Sequence, residues 1–104
     1  MGNETGENEK PIEIADPFAR RLIGQYLGNR KDDIDKLTRA LKESDFETIR
    51  ITGHNLYGSG AAYGLEQISW LGEGLEKAAD AADAPGIERL IGELTDFLHK
   101  LRVS

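Results

Sequence analysis

Apolar residues recur at intervals of three and four along most of the chain, which is the period of amphipathic α-helices. Four such stretches follow one another, and none alternates as a half-buried β-strand would. Their apolar positions are Phe18, Leu22, Ile23, Tyr26, Leu27, Ile34, Leu37 and Leu41; Phe46, Ile49, Gly53, Leu56, Gly60 and Tyr63; Leu65, Ile68, Leu71, Gly72, Leu75, Ala78, Ala79 and Ala82; and Ile87, Leu90, Ile91, Leu94, Phe97, Leu98 and Leu101. The pattern predicts four helices, each with one face turned towards a core.

Capping residues predict where the first two helices begin. Asp16 stands just before Pro17, an order that is typical of a helix start because proline lacks the N–H that this position leaves unpaired. Ser44 and Glu47 have the spacing of a capping box. The second helix is therefore expected to begin near Asp45.

Glycine and proline mark the later boundaries. Gly64 has the position of a residue that ends a helix, and Asp83 followed by Pro85 predicts the start of the last one. Within the long first stretch, Gly28 and Asn29 predict a break or a bend, because both residues are poor helix formers.

Four helices with short connections favour an all-α fold, an antiparallel four-helix bundle in up-down-up-down order. Residues 11–16 are expected to add a short helix or an extended arm at the N-terminal end. Residues 1–10 are polar, acidic and rich in glycine and asparagine, a composition that is typical of a disordered tail. We therefore expect a tail at residues 1–10 and one bundle domain at residues 11–104, which is a normal size for a single domain.

Charge and composition exclude several classes of function. The 104 residues include 19 acidic and 13 basic side chains, for a net charge of −6 at pH 7. This balance argues against a non-specific nucleic-acid binder and against attachment to an anionic membrane surface. No apolar run has the length of a membrane span, the N-terminus lacks the apolar core of a signal peptide, and cysteine is absent. We expect a soluble, cytoplasmic monomer that binds neither nucleic acid nor membrane.

The second predicted helix carries His54 away from its apolar face. At about 100° per residue, His54 points roughly 130° from the mean direction of that face, so it is expected to be exposed. Imidazole is a nucleophile near neutral pH and forms phosphoryl adducts. A lone exposed histidine is, however, more often an ordinary surface residue, and His54 alone defines no reaction.

Glycines surround His54 although glycine costs about 1 kcal/mol relative to alanine inside a helix. Gly53 and Gly60 lie on the apolar face, where they are expected to let two helices approach closely. Gly58 points away from the core and has no such role. We therefore expect a partner molecule to come close to His54 over Gly58.

The stretch GHNLYGSGAAYGL resembles the signature of histidine phosphotransfer (HPt) domains, roughly H-x-L-K-G-S-x-x-x-L-G. His54, Leu56, Gly58, Ser59 and Gly64 match it, and a tyrosine replaces the apolar residue before the last glycine. The resemblance covers most of the chain, because the predicted helices from about residue 16 to residue 101 have the lengths and apolar patterns of that family.

The resemblance implies that His54 accepts a phosphoryl group from an aspartyl phosphate on a receiver domain and passes it to another receiver. The transfer is then expected to be in-line, with the receiver supplying Mg²⁺. The chain itself would carry no cofactor and no metal, and it would be a carrier rather than an enzyme. In agreement, the sequence has no G-x-x-x-x-G-K-[ST] nucleotide motif.

One position departs from the family pattern. Tyr57 stands where the family usually has lysine, three residues after the histidine, and tyrosine carries no positive charge at neutral pH. Arg50, one helical turn before His54, is our candidate for the missing cation. The partner surface is expected to include Arg50 with Ile51, Tyr57, Gly58, Ala61 and Ala62.

Glu76 follows His54 by 22 residues. In some members of the family a glutamate or glutamine at this offset hydrogen-bonds the histidine, which implies that Glu76 holds Nδ1 of His54 and leaves Nε2 to react. The alternative is that Glu76 is one of several solvated charges on its helix. Gly72 and Gly74 in the same helix are expected to assist the close approach.

Two other readings of the chain stay open at this point. The tyrosine at position 57 is compatible with a degenerate HPt-like module that regulates a receiver or a histidine kinase without carrying phosphate. A purely structural helical bundle is the third reading. Trp70 and Phe18 are interpreted as packing residues, with contact to a partner as the alternative role.

Overall fold

The computed structural model describes residues 16–101, which form four α-helices and, within that range, no strand. These are α1 (Pro17–Lys42), α2 (Phe46–Ala62), α3 (Glu66–Asp80) and α4 (Ala84–Lys100). The predicted tail at residues 1–10 and all of the predicted arm except Asp16 lie outside the described residues. Among residues 16–101, no helix combines the length and the apolar character needed to cross a membrane.

Each helix packs against its neighbours in the chain, and α4 returns to pack against α1. The core is built from the apolar residues that the helical pattern selects. Seven side chains are completely buried: Leu37, Ile49, Leu56, Ile68, Leu75, Ile87 and Leu94. Every helix contributes at least one of them, so the four amphipathic faces meet in a single core. The predicted all-α four-helix bundle is confirmed.

The predicted caps of α1 and α4 are confirmed. The Asp16 side chain accepts a hydrogen bond from the backbone N–H of Phe18 at 3.0 Å, and the Asp83 side chain accepts one from Gly86 at 3.1 Å. Each bond satisfies one of the N–H groups that a helix start leaves unpaired. Gly64 has a φ of +73°, the left-handed conformation expected of a residue that ends a helix.

The start of α2 differs in one detail from the predicted capping box. Asp45, not Ser44, caps the helix: its Oδ1 accepts from the Thr48 backbone N–H at 3.2 Å, and its Oδ2 accepts from the Thr48 hydroxyl at 2.6 Å. These bonds lower the pKa of Asp45. Ser44 instead has a φ of 55° and donates its backbone N–H to Leu41, because the chain must reverse within three residues between α1 and α2.

Of the break or bend predicted at Gly28 and Asn29, the break is wrong, since α1 runs continuously through both residues, and the bend stays a prediction. A glycine in a helix costs only about 1 kcal/mol, and buried residues on both sides, Tyr26 and Leu37, hold α1 against the bundle.

Four residues that were expected to pack inside the bundle are partly exposed or lie beyond the end of a helix. Tyr63 follows α2 as its C-terminal cap and is 41% exposed, and Ala82 lies after α3 with a φ of 52°. Both fall outside their helices because α2 and α3 each end before the apolar pattern does. Phe18 and Trp70 are 64% and 65% exposed, so the packing role predicted for them is wrong.

Candidate functional site

His54 lies in the middle of α2 with its side chain 65% exposed. Its Nδ1 is 3.3 Å from Oε1 of Glu76 on α3. When Nδ1 carries the proton, the carboxylate accepts it in a long hydrogen bond, and Nε2 keeps its free electron pair. The structure thus brings together two residues that the sequence separates by 22 positions, and it gives the two ring nitrogens different surroundings.

Close packing of α2 on α3 makes this contact possible. A Cβ atom on Gly53 would lie 2.7 Å from the carbonyl oxygen of Gly72 and 2.8 Å from the backbone nitrogen of Glu76. A Cβ on Gly72 would lie 2.5 Å from the backbone nitrogen of Tyr57. Real side chains do not come so near to backbone atoms, so both positions require glycine. The paired glycines bring the backbone of Glu76 within reach of the histidine helix.

Two further glycines have different neighbours. A Cβ on Gly60 would lie 2.6 Å from the backbone nitrogen of Ser69, so Gly60 also permits the approach of α2 and α3, as predicted. The expectation that Gly74 assists the approach of α3 to α2 is wrong. Its nearest atoms belong to Leu90 at 3.3 Å, so Gly74 faces α4 and contributes to the packing of α3 on α4.

The surface beside His54 is formed by small residues and one larger apolar side chain. A Cβ atom added to Gly58 would have no heavy atom within 4 Å, and Ala61 and Ala62 are exposed. Ile51 is 46% exposed, so it presents an apolar side chain to solvent next to the histidine. We call the exposed face formed by Ile51, His54, Gly58, Ala61 and Ala62 the His54 surface. No helix among residues 16–101 covers it.

Arg50 makes an ion pair on the outer face of α2, and this pair is with Glu47. Its Nε donates to Glu47 Oε1 at 3.1 Å and its Nη2 donates to Glu47 Oε2 at 2.6 Å. The hydrogen bonds lower the pKa of Glu47 and raise that of Arg50. The carboxylates of Glu76 and Asp80 on α3 also attract the guanidinium. The predicted cation is therefore near the site but engaged by a neighbour.

Tyr57 is 44% exposed, and its backbone carbonyl accepts a hydrogen bond from the buried Ser69 hydroxyl at 2.9 Å. That bond is a second link between α2 and α3 at the level of the paired glycines. The Tyr57 side chain brings no positive charge to the His54 surface. Arg50 is the only arginine of α2, and the helix has no lysine.

Sequence reasoning missed the role of Ser59. Its hydroxyl lies 2.7 Å from the hydroxyl of Tyr26 on α1. The Tyr26 ring stacks on the Tyr63 ring with centroids 4.2 Å apart. The guanidinium of Arg30 lies 4.1 Å from the centroid of the Tyr26 ring. This group joins the end of α2 to α1 and fixes how the histidine helix sits in the bundle. No local pattern predicts a bond between residues 33 positions apart.

Comparison with known proteins is consistent with this geometry. The family model for the Hpt domain matches residues 21–103, and the chain belongs to that family. The chain is also similar to the phosphorelay intermediate protein YPD1 of Candida albicans, with 33% identity over 52 residues. That match covers 50% of this chain and 28% of the relative. No solved structure gives a significant match.

Proposed function

We propose that this chain is a phosphoryl carrier in a phosphorelay. His54 would accept a phosphoryl group from the aspartyl phosphate of one receiver domain and pass it to another. The observation that carries the proposal is the exposed imidazole whose Nδ1 lies 3.3 Å from the carboxylate of Glu76. Membership of the Hpt family and the phosphorelay role in the relative's name support the same function.

The transfer step follows from the two ring nitrogens. The electron pair of His54 Nε2 attacks phosphorus, and the bond between phosphorus and the aspartate oxygen breaks, with its electrons returning to the aspartate. The imidazole becomes positively charged because Nδ1 keeps its proton. Glu76 would stabilise that charge and hold the ring in one orientation. The in-line geometry and the Mg²⁺ are expected from the receiver, so the chain acts as a carrier and not as a kinase.

The His54 surface is our proposed receiver-docking site. Gly58 leaves open space next to the histidine, and the small side chains of Ala61 and Ala62 let the receiver's aspartate come near. Ile51 offers an apolar contact at the edge of this site. We propose that one chain docks on one receiver and that the docking takes place in the cytoplasm.

A regulatory module without phosphate is the second candidate function. The observation that favours it is Tyr57, which replaces the lysine of the family pattern and leaves the phosphoryl group without that positive charge. In this case the chain would bind a receiver through the same surface, but His54 would stay unmodified.

Transfer from a panel of phosphorylated receivers distinguishes the two functions. The carrier gains a label that is stable to base and labile to acid, and His54→Gln abolishes it. The regulatory module binds a receiver and gains no label. Gly58→Arg is expected to block transfer, while the same change at Gly92, which also faces open space but on α4, is the matched control. Normal transfer to Gly58→Arg would contradict the proposed docking site.

A further inference from the structure

The bidentate ion pair of Arg50 with Glu47 lies one helical turn from the proposed phosphoryl site. Residues four apart on a helix are neighbours on its surface, so Arg50 and His54 share one side of α2. Arg50 keeps 38% of its side chain exposed, and Glu47 keeps 67%. Neither side chain is locked by packing, and the guanidinium is free to change partners by rotating its side chain.

Carboxylates outnumber cations around this arginine. Glu47 binds it directly, and Glu76 and Asp80 attract it from α3. Lys77, the only lysine of α3, lies 3.5 Å from Glu73 in an ion pair of its own. A phosphoryl group on His54 would add between one and two negative charges to an acidic neighbourhood. Arg50 is then the cation of α2 that is able to offset them.

We infer that Glu47 is a positioning residue that competes with the phosphorylated His54 for Arg50. The inference rests on the proposed carrier function. In the unmodified protein the guanidinium is bound to Glu47, and after phosphorylation it divides its time between Glu47 and the phosphoryl oxygens. Glu47 thereby weakens the hold of this protein on the phosphoryl group, which suits a carrier that must pass the group on.

The test uses phosphoramidate as a chemical donor, so that no receiver is needed. His54 Nε2 attacks phosphorus, the phosphorus–nitrogen bond of the donor breaks, and ammonia leaves after taking a proton from the solution. The phosphoryl resonance is then titrated with pH by ³¹P NMR. A cation close to the phosphoryl oxygens favours the dianion, and it therefore lowers the pKa of the phosphoryl group.

Four variants separate the contributions. Glu47→Gln frees Arg50 and is expected to lower the phosphoryl pKa by about 0.2–0.7 pH unit, the worth of an exposed ion pair. Arg50→Ala is expected to raise it. Glu47→Gln in the Arg50→Ala background is expected to have little further effect, because Glu47 acts through the arginine. Glu93→Gln breaks the comparable Arg89–Glu93 pair on α4 and is the matched control.

Each remaining outcome has a definite meaning. If Glu47→Gln leaves the phosphoryl pKa at the wild-type value, the inference is wrong. If it lowers the pKa equally with and without Arg50, Glu47 acts by its own charge and not by holding the arginine, and the inference is again wrong. If neither phosphoramidate nor any phosphorylated receiver of the panel labels His54, the carrier function itself fails, and the inference falls with it.

Discussion

The glycines of α2 and α3 permit a prediction in which one substitution has different effects on stability at two positions. A Cβ at Gly58 meets no heavy atom within 4 Å. Alanine at position 58 therefore gains the difference in helix propensity without a clash, about 1 kcal/mol. For a domain of this size that gain raises the melting temperature by about 4–8 °C.

The same change at Gly72 creates a collision. The new Cβ would lie 2.5 Å from the backbone nitrogen of Tyr57, 2.6 Å from the carbonyl oxygen of Gly53 and 2.8 Å from Cβ of Leu56. Two of these atoms belong to the backbone and do not move aside as the end of a flexible side chain does. Overpacking of this kind costs about 1–3 kcal/mol, which matches or exceeds the gain of about 1 kcal/mol in propensity.

Urea unfolding followed by far-ultraviolet circular dichroism measures the difference. Gly58→Ala is expected to be more stable than the wild type, and Gly72→Ala is expected to be less stable than Gly58→Ala by about 1–3 kcal/mol. Both variants replace one glycine by alanine, so the effect on the unfolded chain is about the same in each. Their comparison therefore isolates the packing of α2 on α3. If Gly72→Ala is as stable as Gly58→Ala, the close helix contact that brings Glu76 to His54 is not required, and our reasoning is refuted.

Three further predictions concern the ends of α2 and the site. Hydrogen bonds from Thr48 lower the pKa of Asp45. Asp45 therefore stabilises the folded state at pH values above its unfolded-state pKa, and this contribution is lost as the pH falls through the folded-state pKa. Asp45→Asn keeps a cap, and its free energy of unfolding is expected to change less with pH in the acid range than that of the wild type. Tyr26→Phe removes the hydroxyl bonded to Ser59 and is expected to cost about 0.5–1.5 kcal/mol in urea unfolding, with Tyr26→Phe and Ser59→Ala less than additive in a double-mutant cycle. Tyr57→Lys restores a cation to the site and is expected to increase the share of phosphoryl group held by this protein at equilibrium with a receiver; an unchanged share would show that position 57 does not reach the phosphoryl group.

Much of the fold could be predicted because helical periodicity and the caps at Asp16 and Asp83 are local signals. The errors arose where a local signal competes with tertiary structure. Gly28 does not break α1 because packing on either side outweighs a modest cost in propensity. Ser44 has the right spacing for a cap, but the tight turn requires it in the left-handed region, and Asp45 takes the capping role.

The candidate site divides in the same way. The exposure of His54 follows from the helical period, and the open space at Gly58 follows from the same arithmetic. The contact with Glu76 was expected from resemblance to a family and not from spacing, since it depends on how α3 lies beside α2. The partner of Arg50 is local and was still missed, because Glu47 was interpreted as part of a capping box.

The most direct test of the carrier function identifies the nitrogen that takes the phosphoryl group. The protein is labelled with ¹⁵N in histidine and phosphorylated by a receiver, and the phosphorus–nitrogen coupling then assigns the modified atom. Our account predicts phosphorus on Nε2 of His54, with Nδ1 still protonated and facing Glu76. Phosphorus on Nδ1, or no phosphorus on His54 after incubation with receivers that bind the protein, would contradict it.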